Sequence, residues 1–369
     1  MPMSNKYVVS CLPLMNIAEL QTQWGDLEAR SANNFFLSWS WIGSWLSVYK
    51  PRVDVLRVSH NSTLVGLALL AKTEQTRFHA LHSKILLMHQ LGDTEKDQIW
   101  IEYNNFLTDK QHTEAVVECA INYILSEYTD WDEFIIGAIT EEEVNRFSEL
   151  TGLVYVELLK VPSYGVNIAE LRENKKSYLS TLSKNTRYQI RRAAKGYDQQ
   201  GAIKLERAED AGEALHLFEQ IAPLHIKRWG TKPGESGFTN RHFVNFHQGL
   251  IKVAWPRQQI DIWKLSAGTK VIGFFYNFVY RGQVYFYLSG LVKEQDSKLK
   301  PGLLGHSLCI EQYLAQGLDY YDFMGGDDRY KANLGEIGSN LYKISLQKPK
   351  LKFQLEQMGR KVKNTLMRK

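Results

Sequence analysis

The sequence predicts an α/β protein built from two copies of one module. Residues 53–66 (VDVLRVSHNSTLVG) align without gaps on residues 260–273 (IDIWKLSAGTKVIG), at a constant offset of 207 positions. Strand-like and helix-like segments alternate along most of the chain. A length of 369 residues also suits two domains of about 100–200 residues each. The echo pairs Asp54 with Asp261, Arg57 with Lys264, Ser59 with Ser266 and Gly66 with Gly273. Each copy reads as two strands joined by a tight turn, at His60-Asn61 and Ala267-Gly268, where Asn and Gly accept positive φ. A solenoid would need three or more short repeats, so one duplicated unit is the better reading.

The first module is read over residues 1–160. Leu37, Trp41 and Trp45 lie at helical spacing, and the hairpin follows. Residues 85–88 and 99–103 are apolar stretches. Residues 113–128 form an amphipathic helix, and 134–136 and 154–158 are strands. The second module is read over 161–347. It comprises a basic helix (178–197), a strand (203–205), two helices (211–229 and 241–253) and three strands (260–266, 271–280 and 283–289). Arg281-Gly282 turns between the last two of these. A helix (302–316), a strand (319–324), a Gly-bearing loop and a strand at 341–346 complete it. Residues 348–369 form a basic helix with Leu351, Leu355, Met358, Val362 and Leu366 on one face.

Composition narrows the class. Hydrophobic residues make up 44% of the chain and charged residues 23%, so it can build a sizeable core. Three cysteines (Cys11, Cys119, Cys309) make no disulfide framework and show no ligand spacing. No apolar run reaches the roughly 18–20 residues of a membrane span. The first residues lack the parts of an export signal, and a cytoplasmic location is expected. The net charge of +5 is a property of the tail. Residues 348–369 carry eight Lys/Arg and only Glu356, leaving 37 basic against 39 acidic residues elsewhere. A second block, residues 174–196, holds seven Lys/Arg and no acid.

The chemistry concentrates in a strand (284–290), a loop (298–305), a helix and a further strand (319–324). A Gly-containing loop entering a helix presents unpaired N–H groups and the positive end of the helix dipole, a setting for phosphate. Lys298 and Lys300 add charge. An ordinary Pro-Gly helix start explains the same residues. The segment is neither a dinucleotide fingerprint, since it follows an antiparallel meander, nor a P-loop, since Gly-Lys-Ser/Thr is absent.

Antiparallel strands, a Gly-bearing loop, a helix and one more strand resemble the core of a GNAT acyltransferase. The whole chain resembles the CelD/BioF-like acetyltransferase family, related to the FemAB peptidyltransferases. The motifs are residues 35–41 (FFLSWSW), 183–192 (SKNTRYQIRR), 224–229 (LHIKRW), 300–304 (KPGLL) and 321–331 (YDFMGGDDRYK). They span roughly residues 30 to 345. The resemblance implies two tandem GNAT-like modules, each a mixed, mostly antiparallel sheet flanked by helices, with the donor site in the second. One departure stands out. The family's acyl-CoA loop reads Arg/Gln-x-x-Gly-x-Gly/Ala, and residues 298–305 read Lys-x-x-Pro-Gly-x-x-Gly.

The resemblance further implies acyl transfer, most simply of acetyl, from acyl-CoA to an amine. Gly302, Leu303, Leu304 and Gly305 would hold the donor pyrophosphate with Lys298 and Lys300. A backbone N–H near Leu288, Ser289 or Gly290 would polarise the thioester carbonyl. Asp322 is the first candidate base, at the carboxyl end of a strand; capping the following Gly turn is the alternative role. Asp327 and His225 come next, His225 being as readily a core or surface histidine. Tyr287 is a candidate donor to an oxyanion or thiolate. Lys331 follows Tyr330, a pair like the aromatic-Lys pair of FemAB enzymes, and would bind a phosphate or the oxyanion; a solvated loop lysine is the alternative. Arg187, Arg191, Arg228, Trp229, Tyr276 and Tyr330 are candidate acceptor-binding residues, though strand tyrosines more often pack.

Lys184, Arg187, Arg191 and Lys195 make one stripe at spacings of three and four. Such a stripe without acids faces an anion or is merely solvated. The C-terminal helix, with Lys361, Lys363, Arg368 and Lys369, would rest on an anionic membrane surface or pack on its own domain. Trp39, Trp41 and Trp45 are read as core. His79, His82 and His89 lack a ligand pattern, so no metal is expected, and no serine elbow appears. Three functions are weighed. The first is an acyl-CoA N-acyltransferase acting on an amino sugar, amino acid or envelope or polysaccharide precursor. The second is a FemAB-like aminoacyl-tRNA-dependent transferase, against which the modest charge argues. The third is a non-catalytic member associated with polysaccharide biosynthesis.

Overall fold

A computed structural model describes residues 7–77, 81–354 and 356. They divide into two compact units. One takes the described residues up to 93, 101–160 and those from 341 on; the other takes 94–100 and 161–340. The chain begins with β1 (Tyr7–Pro13), α1 (Ile17–Arg30), α2 (Trp39–Tyr49), β2 (Asp54–His60), β3 (Thr63–Arg77) and β4 (Leu81–Met88). Then come β5 (Leu107–Thr108), α3 (Thr113–Ser126), β6 (Glu133–Thr140), α4 (Glu141–Thr151) and β7 (Val154–Asn167). It continues through α5 (Ile168–Glu173), α6 (Tyr178–Thr181), α7 (Lys184–Asp198), β8 (Ile203–Arg207), α8 (Ala211–Trp229) and α9 (Arg241–Ala254). The last elements are β9 (Ile260–Ala267), β10 (Lys270–Tyr280), β11 (Gln283–Leu291), α10 (Pro301–Ala315), β12 (Tyr320–Gly325), α11 (Arg329–Leu334) and β13 (Glu336–Gln347).

The two units share one strand plan. In the first, β1-β2-β3-β4 pair antiparallel, β4 pairs parallel with β6, and β6 antiparallel with β13. In the second, β8-β9-β10-β11 pair antiparallel, β11 parallel with β12, and β12 antiparallel with β7. The closing strands are exchanged in sequence. β13, from the far end of the chain, lies beside β6, and β7, which follows β6, lies beside β12.

The sequence echo extends to backbone detail. Val58 pairs with Gly66 and Ser59 with Leu64, which leaves Val65 as an extra residue. Leu265 pairs with Gly273 and Ser266 with Val271, which leaves Ile272. Val65 and Ile272 are 207 positions apart, so both hairpins carry a bulge at the equivalent place. The paired aspartates also share a partner type: Tyr128 donates to Asp54, and Tyr313 hydrogen-bonds Asp261. Both turns sit one residue later than the sequence reading, at Asn61-Ser62 and Gly268-Thr269. Asn61 and Gly268 both have positive φ, 48° and 59°, which explains those residue types.

Packing follows the apolar patterning. Trp24, Trp41 and Trp45 are buried in the first unit. Phe36 meets Trp41 edge-on at 4.8 Å, and burial of each such side chain contributes about 1.5–3 kcal/mol. In the second unit, residues of α7 and α10 join the core on one face of the sheet. Phe218 of α8 and His247 of α9 pack against Tyr276 on the other. The helix expected over 178–197 is broken. Leu182 is extended, and the Ser183 side chain accepts the Thr186 N–H, starting α7 afresh. β1 and α1 had no counterpart in the sequence reading.

Lys350 and Lys352 pair with Asp132. Leu355, Met358, Val362 and Leu366, with Lys361, Lys363, Arg368 and Lys369, fall outside the described residues. No helix among the described residues is long and apolar enough to cross a membrane.

Candidate functional site

The parallel pair of the second unit opens into a V. β11 and β12 pair at Gln283–Tyr320, Val284–Tyr321 and Tyr285–Asp322, and no further. Beyond that point β11 stays with β10 as far as Leu291, and β12 stays with β7 as far as Gly325. Leu288, Ser289 and Gly290 lie on the open stretch. The V is floored by Phe286, Phe323 and His306, with ring centroids 4.4 and 5.2 Å from the imidazole. Tyr330 stacks on His306 at 5.4 Å and 14°. Burial, helped by the nearby Lys331 and Arg228 charges, holds His306 at about 3, so it is neutral at pH 7. Its Nδ1 lies 3.1 Å from the Tyr321 hydroxyl.

The equivalent V of the first unit is filled. β4 and β6 pair through Leu87 and Ile135. Past them the Asn104 N–H donates to the Ala138 carbonyl (3.1 Å) and Asn104 Nδ2 donates to the Met88 carbonyl (2.8 Å). Asn104 Oδ1 lies 2.8 Å from His89 Nδ1, and His89 Nε2 accepts the Leu69 N–H at 3.1 Å. The imidazole therefore carries its hydrogen on Nδ1. Burial holds His89 at about 4.

At the start of α10 the four expected phosphate ligands separate into two kinds. Pro301 occupies the first helical position and Lys300 gives no side-chain cap. The N–H groups of Gly302 and Leu303 have no backbone acceptor among the described residues, whereas Leu304 N–H already donates to Lys300 O at 3.1 Å. Gly305 is a packing residue. A Cβ there would lie 2.0 Å from Phe275 Cζ, so its lack of a side chain lets α10 sit on β10. Lys298 is exposed and Lys300 half-buried.

Several sequence-predicted residues have other duties. Asp322 is buried, and its Oδ1 accepts the Met324 N–H at 2.6 Å. Met324 has φ 60°, so Asp322 caps a left-handed turn, the alternative to its role as base. Asp327 is exposed. Lys331 is 5% exposed rather than solvated. Its ammonium donates to the carbonyls of Gly325 (2.7 Å) and Met324 (3.3 Å), fixing the same turn. Burial, with Asp328 nearby, pushes the Tyr330 phenol well up. Tyr287 donates to the Ile99 carbonyl at 2.8 Å, so its proton is committed away from an oxyanion. Tyr276 is fully buried and packs rather than meeting an acceptor.

α8 crosses β11 at Gly290, where a Cβ would stand 2.9 Å from the Ile221 carbonyl oxygen. One turn further, His225 is buried with Nδ1 2.8 Å from Ser236 Oγ. Burial and then the Arg228 charge hold it at about 4. Arg228 is exposed over the Trp229 ring at 5.0 Å. Arg187 is committed to the carbonyls of Leu182 (2.5 Å) and Ser180 (3.2 Å). Arg191 is exposed.

Sequence reasoning missed His306, His247 and Asn104. His247 had a legible signal: it shares the apolar face of α9 with Phe243 and Leu250 at helical spacing. His306 had the same signal, between Leu303 and Ile310 on the buried side of α10, and Asn104 had none.

Residues 184–332 match the family model described as an acetyltransferase (GNAT) domain. That segment lies within the second unit and contains the open V, which makes it an acyltransferase domain. No curated protein matches the chain. A crystal structure of FemX superposes with TM-score 0.59 at 9% identity, covering 93% of this chain and 99% of FemX. L-PGS from Bacillus licheniformis superposes with TM-score 0.54 at 13% identity, covering 94% and 96%. At such identities the likeness is one of fold.

Proposed function

We propose that the chain is an acyl-CoA-dependent N-acyltransferase of the CelD/BioF-like kind, with its donor in the V of the second unit. One observation carries this reading. β11 and β12 part, and beside the end of β11 a helix start offers two amides without a backbone acceptor, at Gly302 and Leu303. A narrow, extended thioester arm suits the gap between diverging strands, and an anion suits the amides. Lys298 and Lys300 would add charge to that end. An open amide at 288–290 would polarise the acyl carbonyl.

The Lys331 clamp and the Asp322 cap together hold the 324–326 turn at the end of β12. The acceptor amine must lose a proton. With its Nδ1 hydrogen given to Ser236 Oγ, His225 would take that proton on Nε2, one turn past the α8–β11 crossing. Arg228 and Trp229 offer a charged and aromatic surface for an acceptor that carries phosphate or carboxylate. An amino acid, or an amino sugar or envelope or polysaccharide precursor that bears a phosphate, meets that description.

The second reading, a FemAB-like aminoacyl-tRNA-dependent transferase, is favoured by the whole-length likeness to FemX and the acid-free stripe on α7. Thermal-shift screening separates the two. Acetyl-CoA and longer acyl-CoAs should raise the melting midpoint by binding the folded form alone. No shift at millimolar acyl-CoA, with steeply salt-dependent tRNA binding, would favour the second.

A further inference from the structure

We propose that His247 is a positioning residue that fixes the aim of the β11 backbone at the donor carbonyl. This rests on the acyl-CoA reading above. Tyr276 of β10 pairs with Leu288, but Asn277 pairs with Phe286, so Tyr287 is an extra residue in β11. A bulge bends its strand and redirects the groups that follow it. This one falls just beyond the last β11–β12 pair, directly before Leu288.

His247 braces the bulge from both sides. Its Nε2 lies 3.0 Å from the Tyr287 hydroxyl and its Nδ1 3.3 Å from the Tyr276 hydroxyl. Tyr287 gives its own proton to the Ile99 carbonyl, so Nε2 carries the imidazole hydrogen and Nδ1 accepts from Tyr276. Both His247 and Tyr276 are fully buried, and Phe243 closes on the imidazole at 4.3 Å. Burial keeps the ring neutral, which this assignment requires. Ile99 belongs to the short segment 94–100, which joins the second unit although its sequence lies between β4 and β5. Asn240, at the start of α9, holds the same segment through the Glu95 carbonyl at 2.7 Å. The bulge is thus tied to α9, to β10 and to this inserted segment.

The brace predicts a ligand-specific effect. CoA lacks the acyl carbonyl, so loosening the bulge should weaken acetyl-CoA and leave CoA unchanged. Isothermal titration of the whole chain with each ligand reads this directly. His247→Leu is expected to lower acetyl-CoA affinity relative to CoA by about three- to tenfold, the range of one neutral hydrogen bond. His247→Gln, which keeps a donor toward Tyr287, should recover most of the loss. Tyr287→Phe removes only a hydroxyl and should match His247→Leu; it carries the test should the latter fail to fold. An unchanged acetyl-CoA to CoA ratio, or an equal loss for both ligands, overturns the proposal. Wild-type protein that binds neither ligand instead overturns the donor reading on which it rests.

Discussion

Gly305→Ala tests the structural basis of the donor site. The added Cβ would lie 2.0 Å from Phe275 Cζ and 2.3 Å from Cε2, where ordinary contact begins at 3.4 Å. The helix or the ring must therefore yield by about 1.4 Å. The ring has little room, being fully buried with the His306 imidazole against it at 5.0 Å. Overpacking of this kind costs roughly 1–3 kcal/mol, while Ala over Gly within a helix returns about 1 kcal/mol. At the upper end of the clash, a net loss of about 2 kcal/mol is expected. Urea unfolding measures it as a lower midpoint at constant slope. Because α10 must lift, the Gly302 and Leu303 amides move with it, and acetyl-CoA affinity should fall about tenfold. Gly302→Ala is the control. Its Cβ meets only the flexible Leu291 Cδ1 at 3.1 Å, and stability should stay within about 0.5 kcal/mol. A Gly305→Ala variant as stable as the wild type would refute the described packing of α10 on β10.

Three further outcomes follow from the same geometry. Asp322→Asn keeps an oxygen for the Met324 N–H, so turnover should stay within a few-fold while Asp322→Ala loses about 0.5–2 kcal/mol of stability; a hundredfold loss of turnover in the Asn variant would restore Asp322 as base. Lys331→Met leaves two carbonyls without their donor, costing about 1–3 kcal/mol by urea unfolding, and should lower turnover as the turn relaxes; unchanged values in both assays would remove Lys331 from the site. His306 is held at about 3, below its ordinary value near 6.5, so the unfolded chain binds the proton first. Its stabilising contribution is complete above about pH 6.5 and falls as pH drops toward 3, reaching a loss of up to about 2 kcal/mol at pH 5. Unfolding at pH 7, 6 and 5 checks this, and His306→Gln should flatten part of the slope.

Much of the fold was legible because its signals are local. Periodicity placed α8 and β9–β11 nearly to the residue, and the 207-residue echo foretold a shared hairpin whose bulges at Val65 and Ile272 now agree. The break before α7 was hidden because Leu182 and Ser183 sit within a continuous helical pattern and only the Ser183 cap reveals it. The exchange of β7 and β13 was hidden for a different reason: strand neighbours far apart in sequence leave no periodic trace. In the site, the Pro-Gly helix entry was readable, but the division of labour within it was not. Gly302 faces only the flexible end of Leu291 while Gly305 faces a ring, and only tertiary packing distinguishes two glycines three residues apart. For Lys331 the sequence left a solvated loop lysine as the alternative to a site residue, since such a lysine is usually solvated, and its burial against two carbonyls is set by tertiary packing. The closure of the first unit's V by Asn104 depends on a segment without regular structure, about which residue periodicity is silent.

The most direct test of the account is amide hydrogen exchange on the whole chain with and without acetyl-CoA. The account predicts slowed exchange at Gly302 and Leu303 and along residues 288–290, with residues 89–104 unaffected apart from the 94–100 segment. Protection confined to the first unit, or none at 288–290 and 302–303 under saturating acetyl-CoA, would contradict it.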